Sequence, residues 1–202
     1  LPGARILTLW MLSGLARFMV YFAPDELDQE KFALLPSFFN GMLDVADPQV
    51  RIIDGNMHAY FNEDREPYLL QYHRLRQRSL LLVDPANVAK YQTQAQIGMA
   101  IYADNCFGLY EDNDLPDYMT PEEQLLWFEH KVWWSLYTAD EYAWMHSENM
   151  NWWTGEDLPP GAVEAVRSAR EKIANEPWPG IHMKPIFEEA RRRKAEAEAE
   201  EG

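Results

Sequence analysis

Four strand-length runs, each followed by a helix-forming stretch, constrain this chain more than any other feature. Arg5–Leu12 (RILTLWML), Val50–Ile53, Gln96–Ala103 (QIGMAIYA) and Glu141–His146 (EYAWMH) are short and mainly apolar, and turn or polar residues end each one. Runs of this kind fit strands buried on both faces, as in a parallel sheet. Between them lie helical patterns. In Asp25–Asp47, Phe32, Leu35, Phe38, Phe39, Met42 and Leu43 recur at helical spacing, and Pro36 sets the start of the regular helix. Arg65–Val83 follows, then a short helix from Asp84-Pro85 to Thr93. Thr120-Pro121-Glu122-Glu123 is a capping box with proline in the first turn, and predicts a helix to Thr138. A last amphipathic helix runs from Pro159-Pro160 to Asn175. Strands alternating with helices imply parallel pairing through right-handed crossovers, the α/β class.

Beyond Asn175, Pro177 and Pro179 mark an irregular linker, and the charge run RRRKAEAEAEEG predicts a solvated helical tail. The expected organisation is one domain of four βα units over residues 1–180 and a charged helical tail over 181–202.

In parallel α/β sheets, functional groups gather at the carboxyl ends of the strands. The first end carries Ser13 and Gly14. The second carries Asp54, Asn56, His58 and Tyr60, the third Tyr102, Asp104 and Asn105, and the fourth His146, Glu148, Asn149, Asn151, Trp152 and Trp153. Packing alone does not call for such clusters, although single members can cap helices or close Asx turns. Asp54 and Glu148 are the leading candidates for paired carboxylates, with Asp104 as a third. In glycoside hydrolysis one carboxyl protonates the leaving oxygen and the other attacks or activates water. The two stand about 5 Å apart in retaining enzymes and about 6.5–9.5 Å apart in inverting ones. Trp152 and Trp153 offer flat faces for sugar rings beside Glu148, or else one of them closes the core.

Composition narrows the partners. The net charge of −15 argues against nucleic acid and against anionic membranes. Eight Trp residues are compatible with a heavy core or with stacking platforms. Cys106 is the one cysteine, which excludes an internal disulfide and a cysteine-based zinc site, and reads as a small packing residue. The longest apolar stretch, Ile6–Phe22, is broken by Ser13, Gly14 and Arg17 and lacks the flanks of a signal peptide or membrane span. The compartment stays open, with secreted and periplasmic settings both compatible. The chain opens at Leu1-Pro2-Gly3 without Met, as a piece of a longer chain or a mature form would. No Gly-rich phosphate loop, nucleophile elbow or dinucleotide fingerprint is present, and no cofactor is implied. His73, His130 and His182 fall in helical or tail contexts and read as packing or surface residues.

The segments IIDGNMHAYF, IGMAIYADN and DEYAWMHSENMNWW together resemble the C-terminal half of (β/α)8-barrel proteins of the glycoside hydrolase type, over roughly residues 3–175. The resemblance implies a TIM-barrel-like half barrel and a carbohydrate ligand. Its catalytic residues would be Glu148, Asp54 and Asp104. Asn56, His58, Tyr60, Tyr102, Asn105, His146, Asn151, Trp152 and Trp153 would contact the sugar. Glu148 followed by two Trp resembles the late strand of the large retaining clan. The Asn-Glu pair usual at that clan's acid/base strand is replaced here by Asp54-Gly55-Asn56. A half barrel exposes strand edges, which a second copy, the rest of a longer protein or closure as a smaller open α/β sheet would cover; for a complete chain a homodimer or other oligomer completing the barrel is expected. Two alternatives stand beside this reading: a non-catalytic carbohydrate-binding barrel, and a metal-dependent enzyme built on His58, His146, Asp54, Asp104 and Glu148.

Overall fold

A computed structural model describes residues 6–8, 35–175 and 181–201, with the backbone alone at 6–8, 35 and 201. It is a mixed helix and strand fold with small parallel sheets. The strands are β1 (Ile6–Thr8), β2 (Ile52–Asp54), β3 (Ala95–Ile97), β4 (Met99–Tyr102) and β5 (Ala143–His146). The helices are α1 (Leu35–Val45), α2 (Arg65–Gln77), α3 (Val88–Gln94), α4 (Pro121–Thr138), α5 (Ala162–Asn175) and α6 (Met183–Glu201). Ser13, Gly14, the first part of the helix expected from Asp25, and Pro177 and Pro179 lie outside the described residues.

Strands β1, β2 and β3 pair in parallel in chain order, Ile52 standing opposite Ile6 and Ala95. The helix starts follow their sequence signals. Thr120 N–H donates to Glu123 Oε2 at 2.8 Å and Glu123 N–H to Thr120 Oγ1 at 3.2 Å, so the capping box opens α4 as expected. Pro36 stands in the first turn of α1, where a missing N–H costs no hydrogen bond.

The third strand departs from expectation. It does not run unbroken from Gln96 to Ala103: Gly98 divides it into β3, which pairs with β2, and β4, which pairs with β5. Asp140 makes the break by occupying both polar groups of Ile97. Its carboxylate accepts the Ile97 N–H at 2.6 Å and its own N–H donates to the Ile97 carbonyl at 2.8 Å. Gly98 N–H donates to the Asp54 carbonyl at 2.6 Å, and a Cβ on Gly98 would stand 2.6 Å from that same oxygen. Only glycine allows the two backbones to approach this closely.

The chain forms two compact units. The described residues of the first run up to Ala59, then Glu66–Ala100 and Thr138–Trp144; those of the second are Tyr60–Arg65, Ile101–Tyr137 and the described residues from Met145 onward. In the first unit Phe39, Leu43, Ile52, Val83 and Tyr91 form a buried cluster, with Phe39 edge-on to Tyr91. In the second, α4 supplies the buried Trp127, Phe128, Trp133 and Trp134.

The first turns of the tail pack on this second core, and the charge run that follows, residues 191–200, is helical and mainly exposed, as expected. Met183, Phe187 and Ala190 recur at helical spacing and are buried, and Phe187 meets Trp127 edge-on at 5.1 Å. Arg193 adds an ion pair to Glu123 at 2.7 Å, and Lys194 one to Asp114 at 2.7 Å. The apolar stripe precedes the charge run and is itself interleaved with Lys184, Glu188 and Glu189. No helix among the described residues is long and apolar enough to cross a membrane.

Candidate functional site

The polar strand ends fall into two groups, one in each unit. Asp54, Asn56 and His58 belong to the first unit; Tyr60, Tyr102, Asp104, Asn105, His146, Glu148, Asn151, Trp152 and Trp153 belong to the second.

At the end of β2 the side chains bind one another. Asn56 sits in the left-handed region at φ 42°, and its N–H donates to Asp54 Oδ1 at 2.8 Å. Its amide donates to Gln71 Oε1 at 3.0 Å and to Met99 Sδ at 3.1 Å. Asn56 is fully buried and Asp54 nearly so. Burial pushes the Asp54 carboxyl up to about 7, opposed by the hydrogen bond from Asn56. His58 stands half-buried on the short 3₁₀ turn Met57–Phe61.

At the end of β5 the arrangement opens outward. Asp104 is fully buried and builds the base of the loop. Its Oδ1 accepts the Ser147 hydroxyl at 2.7 Å. Its Oδ2 accepts the Glu148 N–H at 2.9 Å, the Asn149 N–H at 3.0 Å and the Asn149 amide at 3.0 Å. Ser147 Oγ in turn accepts the Met150 N–H at 3.1 Å. This carboxylate therefore positions the loop that presents Glu148, with both of its oxygens engaged. Asn151 does similar work one turn on, accepting the N–H groups of Trp153 at 3.0 Å and Thr154 at 3.1 Å.

The loop lines an open concavity of about 710 Å³, whose wall includes His146, Glu148, Trp152, Trp153 and Asp157. Glu148 is 64% exposed and lies 3.1 Å from His146 Nε2. The His146 ring stacks on Tyr102 at 5.5 Å and on Tyr60 at 6.1 Å. Burial, and after it the Glu148 charge, pushes the Tyr102 hydroxyl up to about 12; burial also raises the Tyr60 hydroxyl, with Tyr102 and then Glu148 adding to it. Both phenols keep their protons at neutral pH. The two tryptophans divide their tasks. Trp152 packs near Phe128, with ring centroids 6.1 Å apart, while Trp153 is 98% exposed.

Sequence reading passed over Asp157, a non-glycine residue in the left-handed region at φ 58° that shares the wall with Glu148. Its one signal was its place before Leu158-Pro159-Pro160, which reads as a turn. Tyr110 was also missed, inside an acidic loop that carries no periodicity. Asn105 is buried, donating to the Tyr60 carbonyl at 3.3 Å and accepting from the Asn113 amide at 2.7 Å. Cys106 is buried and its thiol is pushed up to about 12 by that burial, in keeping with a packing role. Among the described residues no three His, Cys, Asp or Glu side chains gather as a metal site requires. No family model, no curated protein and no solved structure matches the chain.

Proposed function

We propose that the concavity at the end of β5 binds carbohydrate, on a half-barrel scaffold of the glycoside hydrolase type. The observation that carries this reading is Trp153, an almost wholly exposed indole held beside Glu148 in an open concavity. A large bare aromatic face is costly in water and suits a partner with an apolar face and polar edges. A sugar ring is such a partner: its C–H face stacks on the indole, and its hydroxyls meet carboxylate acceptors and imidazole. Glu148, Asp157 and His146 supply those groups. The strands paired in chain order and the polar carboxyl ends support the scaffold. The same scaffold carries a dimer, because open strand edges seek a partner; sedimentation velocity tests it, and a monomer at micromolar concentration counts against it.

A second reading, hydrolysis, is favoured by one further observation: Glu148 and Asp157 line the same wall. Asp104 has both oxygens committed to the loop, and Asp54 is buried at the end of β2. Glu148 and Asp157 are thus the pair to examine for acid/base chemistry. The test uses β-linked oligosaccharides with the wild type, Trp153→Ala and Glu148→Gln. Binding is expected in the wild type, with at least a tenfold loss in Trp153→Ala. Hydrolysis in the wild type that disappears in Glu148→Gln while binding survives would establish the second reading. Binding insensitive to Trp153→Ala would overturn the first.

A further inference from the structure

We infer that the second unit holds a separate subsite, sized for one sugar ring and walled by Phe61, Tyr110 and Trp127, so that the ligand is a neutral oligosaccharide chain rather than a single sugar. This rests on the carbohydrate reading of the β5 concavity.

The subsite is a second cavity, of about 280 Å³, lined by Phe61, Glu63, Asn105, Tyr110, Asp112 and Trp127 among others. Its volume falls just below that of drug-sized ligand pockets, which span about 300–1,000 Å³. Two features mark it as a binding site. Phe61 keeps 57% of its surface in solvent at the cavity wall, although it is a large apolar side chain. Trp127 is only 1% exposed, yet its indole Nε1–H has no acceptor. A buried indole donor ordinarily finds a partner, and a ligand hydroxyl oxygen would provide one.

The polar groups in the wall favour a neutral ligand. Glu63 is held by Arg191 at 2.6 Å and Asp112 accepts the Tyr110 hydroxyl at 2.8 Å, which leaves carboxylate lone pairs for sugar hydroxyls. The same charges, on a chain of net charge −15, repel uronate or sulfate groups.

A path of rings joins this cavity to the groove. Phe61 lies 6.3 Å from Tyr110, Tyr110 lies 5.1 Å from Tyr102, and Tyr102 lies 5.5 Å from His146, which lines the larger concavity. Tyr102 is buried and fixes the spacing between the half-buried Tyr110 and His146, which an oligosaccharide reaching from one cavity to the other would meet.

Calorimetric titration with neutral β-linked gluco-, manno-, xylo- and galacto-oligosaccharides, as disaccharides and hexasaccharides, tests the inference. In the series that binds, the hexasaccharide is expected to bind at least tenfold more tightly than the disaccharide. Phe61→Ala is expected to remove most of that gain and to change disaccharide affinity less than twofold. Thermal melting verifies that this exposed position leaves the fold intact. Trp153→Ala is expected to weaken both lengths. An oligogalacturonide hexamer is expected to bind at least tenfold more weakly than its neutral counterpart, and equal binding would overturn the neutral-ligand assignment. Equal affinity at both lengths, with Phe61→Ala silent and Trp153→Ala still damaging, would overturn the subsite and leave the groove standing. Binding by no member of the panel would overturn the carbohydrate reading and the subsite together.

Discussion

At the carboxyl end of β2, Asp54 and Asn56 turn their polar groups on each other and on the side chains of Gln71 and Met99, whereas at the end of β5 Glu148 and Trp153 stand largely in solvent. Both ends combine carboxylate and amide side chains, and a one-dimensional reading ranks them together. The difference is where the acceptors go. The Asp54 carboxyl is buried and its pKa is raised, so it behaves as part of the interior. At β5 the interior role falls to Asp104, which absorbs four donors and leaves the exposed Glu148 to face the concavity. A strand end becomes a candidate site when one buried carboxylate takes up the local donors and another is left over.

The largest test of this comparison is Asp104→Ala. It strands four donors around a fully buried position, and a loss on the order of 4 kcal/mol is expected in urea unfolding. A loss below about 1 kcal/mol would show that the β5 loop stands without its carboxylate. Gly98→Ala comes next. Its new Cβ would press on the Asp54 carbonyl from 2.6 Å, and a loss of about 3 kcal/mol is expected in the same measurement. A neutral result would show that β2 and β3 have room to separate.

The Asp54 carboxyl separates the two ends by pH. Its pKa rises from 3.8 to about 7 on folding, so between those values the folded chain binds the proton more strongly than the unfolded chain. Its contribution is therefore most favourable below about pH 4, declines as pH rises to about 7, and is flat above that. The shift sets a ceiling of roughly 4 kcal/mol. Asp54→Asn retains an acceptor for the Asn56 N–H but must place a new amide donor, so a gain of about 2 kcal/mol is expected at pH 8, vanishing near pH 4. Equal melting shifts at both pH values would show that the carboxyl does not titrate inside the fold. The smallest effect is Trp153→Ala, which leaves stability within about 0.5 kcal/mol because the side chain is almost wholly exposed, while weakening sugar binding about tenfold.

Much of the local structure was legible from the residues. The capping box at Thr120–Glu123, Pro36 in the first turn of α1 and the order of strand and helix were read directly, since each depends on contacts within a few residues. The division of the third strand was not. It depends on Asp140, more than forty positions from Ile97, taking both backbone groups that a continuous strand would share with its neighbours. The docking of α6 was hidden for another reason. Met183, Phe187 and Ala190 make a stripe that is clear only when the opposing Trp127 is known.

The candidate residues divide the same way. Sequence alone determined that carboxylates, amides and aromatics cluster after the strands, because backbone connectivity places them there. Whether each is spent or available was decided by the tertiary structure. Asp54, Asn56 and Asp104 became interior braces, Glu148 and Trp153 stayed open, and Asp157 joined the same wall from a turn. The physical reason is that a buried polar group must find partners, and those partners come from distant parts of the chain that only the folded molecule brings within hydrogen-bonding reach.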